Sequence, residues 1–321
     1  MADPSPSAPL APPVLPPPYR CRAATAGDAG AIHALVAACE REALGRAETS
    51  PDRIAADLSL PELDPARDTL VVRAPGGSEA DLAGWAWVHG GRRSIVDVHP
   101  AHRGRGLGSA LLDWAEARAR RAGSERLSQT LPDADPGAVR LLRSRGYRPF
   151  VSEWLLELEL SPEPALPAPP PGITVRNFRL PGDERATHRL TEDAFDDWQP
   201  RRKPYAEWAR RTVERDVFAP EFSPVALAGR ELVGAVMALC VPGADHGYVD
   251  RVAVRKDQRG RGIASLLLRH CFQRFHRAGR RRCTLWTHSA AGALPLYQGL
   301  GMTVTRSSAV YGKALTPTAD G

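Results

Sequence analysis

The sequence predicts an α/β fold, with a mixed sheet, made of two tandem copies of one domain. One glycine-rich turn occurs twice: Arg103-Gly104-Arg105-Gly106-Leu107-Gly108 returns 156 positions later as Arg259-Gly260-Arg261-Gly262-Ile263-Ala264. Each copy follows a β-branched run (residues 94–98 or 248–254) and opens a long amphipathic stretch, the pattern of a strand feeding a helix. The spacing downstream also repeats, with 43 residues from Arg103 to Gly146 and 42 from Arg259 to Gly301. Self-similarity over this length means that a whole βα domain is duplicated, not a loop alone.

Proline marks the borders. Residues 1–18 hold eight prolines and predict a disordered or polyproline arm. Residues 161–172 hold six prolines in twelve, a density at which neither helix nor strand persists, and predict an interdomain linker. The expected domains are therefore 19–160 and 173–316. Each half opens with an extended piece (19–24; 173–178) followed by a helical stretch (29–42; 184–195). Two strands come next, 69–73 with 83–89 and 224–228 with 232–240, and then the strand before the glycine turn. The helix after the turn spans 109–122 or 264–278; in the second copy Leu266, Leu267, Cys271 and Phe275 share one face at helical spacing. A further strand, a short helix (137–145; 292–300) and closing paired strands (147–160; 302–315) complete each half.

Composition narrows the function classes. The chain has 321 residues, 43% hydrophobic and 25% charged, as in ordinary globular proteins. No apolar run is long enough to span a membrane, and the N-terminus lacks the apolar core of a secretory signal. Five cysteines (Cys21, Cys39, Cys240, Cys271, Cys283) show no metal-ligand spacing, so reduced thiols in a cytoplasmic protein without a metal are expected. Lysine stands only at 203, 256 and 313, leaving arginine to supply most of the +6 charge. No basic run is interleaved with stacking aromatics, so nucleic acid is not an expected partner.

A strand followed by Arg-x-x-Gly-x-Gly/Ala, with Ala-x-x-Leu-Tyr-x-x-x-Gly-Met/Phe about forty residues on, resembles the GNAT acetyltransferases. The second half has Arg259, Gly262 and Ala264, then Ala293, Leu296, Tyr297, Gly301 and Met302. The first has Arg103, Gly106 and Gly108, then Ala138, Leu141, Leu142, Gly146 and Tyr147. The tandem resembles two-domain acetyltransferases of the mycothiol-synthase type. That resemblance implies two mostly antiparallel central sheets flanked by helices, acetyl-CoA as co-substrate, a small-molecule amine as acceptor and chemistry in the C-terminal half. It leaves the first half as an auxiliary domain able to bind acetyl-CoA, and the molecule as a monomer or homodimer. Two marks of the type are missing: its acidic residue on the fourth strand falls at Tyr248, and its Asn before the last helix falls at Ala290.

The residues themselves support such chemistry. Glycine-turn amides at a helix N-terminus suit a pyrophosphate, which nominates Arg259, Gly260, Arg261, Gly262, Ile263, Ala264 and Ser265, and Arg103, Gly104, Arg105, Gly106, Leu107, Gly108 and Ser109. A plain tight turn with surface arginines is the bland alternative. By the resemblance, the backbones of Val252, Ala253 and Val254, with Val96 and Val98 in the first half, pair with the pantetheine arm. The same resemblance makes Tyr297 the acid for the leaving thiolate; otherwise it is an amphipathic core residue. Base candidates are Asp250, expected on the face of Val252 and Val254 by strand alternation, and His288; a water relay serves equally. Carboxylates of Glu192, Asp193, Asp196 and Asp197 beside Phe195 and Trp198 nominate that segment as a pocket for a cationic amine, or as a solvated helix end. A non-catalytic acyl-CoA-binding protein is the rival reading.

Overall fold

The computed structural model of the chain describes residues 12–60, 63–74, 76–78, 81–196, 201–240 and 244–315. Two compact units divide it, Met1–Ser152 with Ser308–Gly321, and Glu153–Ser307.

The first unit's sheet runs β1 (Arg20–Arg22), β2 (Thr69–Arg73), β3 (Leu82–His89), β4 (Arg93–Val98), β5 (Arg126–Pro132) and then residues 308–314. The pairs along it are antiparallel except β4 with β5, which is parallel and registered only at Arg93–Ser128. Helices α1 (Ala29–Leu44) and α2 (Pro51–Leu58) cover one face. In α1 the residues Ile32, Leu35 and Cys39 fall at helical spacing and bury against Val71, Leu82 and Trp85. The helix stops at Gly45, which takes the left-handed conformation. Helix α2 is an element that hydrophobic spacing alone missed, although its start is signed by a Ser50 cap and Pro51 at the first position. Helix α3 (Pro65–Asp68) leads into β2. Helices α4 (Leu107–Arg121) and α5 (Pro136–Ser144) lie on the other face, with Leu107, Leu111, Trp114 and Ala115 against Val72, Ala86 and Val88.

In the second unit residues 303–307 lie at one end of the sheet, beside residues 153–159 of β6 (Arg148–Glu159). The other edge is β7 (Ile173–Asn177). Helices α6 (Glu184–Phe195) and α7 (Tyr205–Arg211) cover one face. From β7 the strands run inward as β8 (Pro224–Ala228), β9 (Glu231–Leu239) and β10 (His246–Val254). The other face carries α8 (Ile263–Arg277) and, after β11 (Arg282–His288), α9 (Leu294–Gly299). Strand β12 (Thr303–Ala314) ends the described fold. The parallel pair is β10 with β11. Both units share a clamp: Arg22 on β1 holds Asp28 with two bonds of 2.7 Å, and Arg176 on β7 holds Asp183 at 2.5 and 2.8 Å. The Arg22 guanidinium keeps the Asp28 carboxyl well below the usual carboxylate range.

The ends of the halves differ from expectation. Single long strands, β6 and β12, stand where paired strands were expected, and each crosses from one unit to the other. Residues 153–159 pair antiparallel with β11, and residues 308–314 pair antiparallel with β5. The compact units therefore do not coincide with 19–160 and 173–316. Burial is the reason: Leu156 and Leu160 enter the core of the second unit, while Ala309 and Tyr311 pack on Leu131, Leu142 and Tyr147 of the first. The proline-rich 161–172 carries no helix or strand and lies along α8, where Pro164 O accepts from Gln273 and Glu163 pairs with Arg277.

One ion pair ties the returning strand into the first unit. Lys313 Nζ donates to both oxygens of the buried Glu116 of α4 at 2.8 Å, and Arg120 reaches the same carboxylate at 3.3 Å. Losing the lysine leaves the buried carboxylate only Arg120 as a cation, at 3.3 Å, so Lys313→Met should cost about 2 kcal/mol in denaturant unfolding. Adding Glu116→Leu should recover most of that loss. A single variant as stable as the parent would show that the pair does not hold the strand.

Candidate functional site

The site arises where β10 and β11 part. They pair in parallel from His246–Arg282 to Val249–Leu285, and beyond that β10 keeps only its β9 neighbour. A cavity of about 780 Å³ opens there, within the second unit. One end is the glycine turn, lined by Arg259, Gly260, Gly262, Ile263, Ala264 and Ser265. Val252, Ala253 and Val254 form its strand wall, and Tyr297, Leu296 and Ala293 another side. Asp250, Arg251, Trp286, Thr287 and His288 line the region where the strands separate, with Ala194, Phe195 and Lys203 also on the lining.

The glycine turn is shaped to receive an anion through its backbone. Gly262 is the N-cap of α8 at φ +79°, with no atom within 4 Å of the position a Cβ would take. The first helical bond runs from Leu266 N to Gly262 O, which leaves the N–H groups of Ile263, Ala264 and Ser265 without intrahelical acceptors. They point outward from the positive end of a 15-residue helix. The arginine side chains of the turn bond to groups of the chain. Arg259 donates to Val254 O at 3.2 Å and Ala194 O at 3.0 Å, bracing the turn against strand and α6. Arg261 donates to Gln258 and Pro171 O and does not line the cavity. A pyrophosphate would therefore be held by amides, with these guanidiniums as braces.

Strand alternation misplaced Asp250. A β-bulge between Val249 and Arg251 inserts one residue into β10. Val252 and Val254 pack on the α8 face, whereas Arg251 faces the α6–α7 side opposite Met237. Asp250 joins Arg251 there, accepting from its Nε at 3.2 Å, and pairs with Arg215 at 3.6 Å. Burial, then the Asp250 carboxylate, pushes the neighbouring Tyr248 up to about 12. Tyr297 is buried on α9 and lines the cavity; burial raises its phenol to about 12.

The acidic segment does not line the cavity. Glu192 is buried and accepts from Lys203 N at 2.7 Å, so it holds the chain after α6. Asp193 pairs with Arg202 at the surface, and Asp196 with Lys256 at 2.7 Å. Asp197 and Trp198 lie outside the described residues. Among the described residues of that segment, Ala194 and Phe195 reach the cavity. Periodicity missed Arg251, Lys203 and Trp286: the bulge is invisible to it, and Lys203 and Trp286 arrive from a loop and a splayed strand.

Two of the matching positions in the first unit, Gly106 and Gly108, have close neighbours. Pro16 Cγ stands 3.4 Å from where a Gly106 Cβ would lie, and Arg105 donates to Tyr19 Oη at 3.1 Å. A Cβ on Gly108 would sit 2.8 Å from Leu141 Cδ2. Leu107 is in the core; Arg103 braces Val98 O at 3.2 Å and pairs with Glu42 and Asp135. Between the parted strands Gln129 Nε2 donates to Val96 O at 3.4 Å, and Cys39 Sγ donates to Val98 O at 3.4 Å. Buried Leu142 replaces Tyr297. Gly104, also left-handed, has no atom within 4 Å of the position a Cβ would take, and Ser109 completes the turn.

Comparison with known proteins follows the same division. The sequence pattern of the Acetyltransferase (GNAT) family matches residues 35–147 and again 185–302. A mycothiol acetyltransferase of Saccharomonospora viridis is 30% identical over 87% of this chain and 93% of its own. One from Saccharopolyspora erythraea is 32% identical over 64% of this chain and 73% of its own. The crystal structure of a GCN5-related N-acetyltransferase from Sphaerobacter thermophilus superposes with a TM-score of 0.79 at 30% identity, covering 96% of this chain and 99% of that one. Among the described residues no helix is long and apolar enough to cross a membrane, and no side-chain cluster could hold a metal ion.

The open geometry at Gly262 predicts a clean backbone effect. Gly262→Ala meets no neighbour but forces a side chain into left-handed φ, so it should lower stability by about 1–2 kcal/mol in denaturant unfolding. A much larger loss would mean that the space beside the turn is filled.

Proposed function

This chain belongs to the acetyltransferase (GNAT) family, and we propose that its second unit transfers an acetyl group from acetyl-CoA to a primary amine, with the first unit auxiliary. The observation that carries the reading is the single cavity that joins the glycine-turn amides, the free edge of β10 and Tyr297. The residues fit the co-substrate: Gly262 leaves room at the helix N-terminus, and the parted strands leave an edge to which an extended arm can bond. Acetyl-CoA supplies the activated thioester.

Each remaining demand falls on a group of the chain. An ammonium with a pKa near ~10.4 loses its proton at a cost of about 4–5 kcal/mol at pH 7. In this reading Asp250 or His288, both on the lining, orients the amine and accepts that proton, directly or through a water relay. Backbone N–H groups of 252–254 meet charge developing on the thioester oxygen, where one donor contributes roughly 3–4 kcal/mol. Tyr297 stays neutral throughout the working pH range, because burial holds it near 12. A thiol of pKa about 8.5 is the stronger acid, so the phenol acts as a hydrogen-bond donor to the leaving sulfur more than as a complete proton source.

A narrower reading has support in the relatives named mycothiol acetyltransferases: the acceptor for this chain would then be the cysteinyl amine of a mycothiol precursor. Tyr248 and Ala290 in place of that type's acidic residue and Asn weigh towards a different acceptor.

Release of CoA with a panel of amines tests the transfer itself. Tyr297→Phe should lower the rate about 10²–10³-fold, with little change in acetyl-CoA affinity. Since the phenol titrates only near 12, the loss should be uniform from pH 6 to 10; recovery of the parental rate anywhere in that range would sink its role. Gly262→Asp should abolish calorimetric acetyl-CoA binding and turnover, while Gly106→Asp should leave turnover in place. Equal loss from both changes would show that the two units share the chemistry.

A further inference from the structure

We propose that the acceptor is amino-acid-like, carrying a carboxylate beside its amine, and that Arg251, backed by Arg215, selects it. The inference rests on the second-unit cavity being the transfer site. Its origin is the bulge in β10, which turns two adjacent residues of opposite charge onto one face instead of opposite faces. Asp250 and Arg251 both line the cavity where the strands part. Arg251 bonds Asp250 through Nε alone, at 3.2 Å, while Arg215 engages the other carboxylate oxygen at 3.6 Å. Two guanidiniums thus face one carboxylate.

A plain cationic amine would add positive charge to that cluster. A molecule with an amine and a carboxylate on neighbouring atoms complements it: the amine towards Asp250, the carboxylate towards the fork of Arg251, whose planar pair of N–H donors matches it. The phosphates of acetyl-CoA do not compete for this arginine. Their amide cradle lies beyond Val254, three residues and roughly 10 Å of strand farther along β10. The described carboxylates of the expected acidic pocket, Glu192, Asp193 and Asp196, are engaged elsewhere.

Matched acceptor pairs test this: α-amino acids against their own carboxamides, with CoA release followed at fixed acetyl-CoA. The parent protein should prefer the free carboxylate at least 10-fold in kcat/KM. Arg251→Gln should bring that ratio close to one through KM for the carboxylate acceptors, and Arg251→Lys should restore part of it. A merely structural arginine would lower both members of a pair alike, and that result would overturn the assignment. Equal use of acids and amides by the parent would overturn it too, leaving acetyl transfer intact. CoA binding without release from any amine would overturn both the transfer reading and this one.

Discussion

The site depends on the parting of two parallel strands. While β10 and β11 pair, every backbone group between them is used, and no ligand can enter the sheet. Once they separate after Val249 and Leu285, β10 offers an edge and the gap becomes a cavity. Such an edge is costly to leave open, since unpaired N–H and C=O groups invite other strands. Residues 153–159 cover the far side of β11, pairing through Trp286–Leu155 and His288–Glu153. The gap is thus held open between two strands that each keep a neighbour on the other side.

The two units share a skeleton but differ in what fills this gap. Both have a parallel pair that parts early, an arginine that braces the strand before the glycine turn, and an arginine–aspartate clamp from the opening strand. In the first unit Gln129 bridges towards Val96, Leu141 closes on Gly108 and Leu142 occupies the place of Tyr297. Leu142 replaces a buried phenol with an aliphatic side chain, whereas Gln129 brings an amide to the place of Leu285.

Charge within the second unit is organised by backbone geometry more than by composition. Segment 192–196 is rich in carboxylates, yet they serve a chain turn and surface ion pairs. Asp250 is a single carboxylate, but the bulge sets it beside Arg251 at the point where the strands divide. Position in the gap, and not abundance, gives an ionisable group a chance to act.

The sequence by itself determined the duplication, the α/β class and the strand–turn–helix units, because β-branched runs, helical spacing and left-handed glycines are local properties. Helix α6 and strands β2 and β8 fall where the residues predicted, and the glycine-turn amides and Tyr297 reach one cavity as the motif implied. Tertiary structure alone decided three things. It chose which unit each closing strand completes, since the alternation in β6 and β12 is satisfied by either sheet until Leu156 and Tyr311 find their cores. It placed the bulge that reversed the expected face of Asp250, because one inserted residue shifts every side chain after it without a signature in hydrophobicity. Finally, it assigned the arginines of the turn to carbonyl oxygens instead of a ligand, because partners such as Ala194 and Pro171 lie 65 and 90 residues away along the chain.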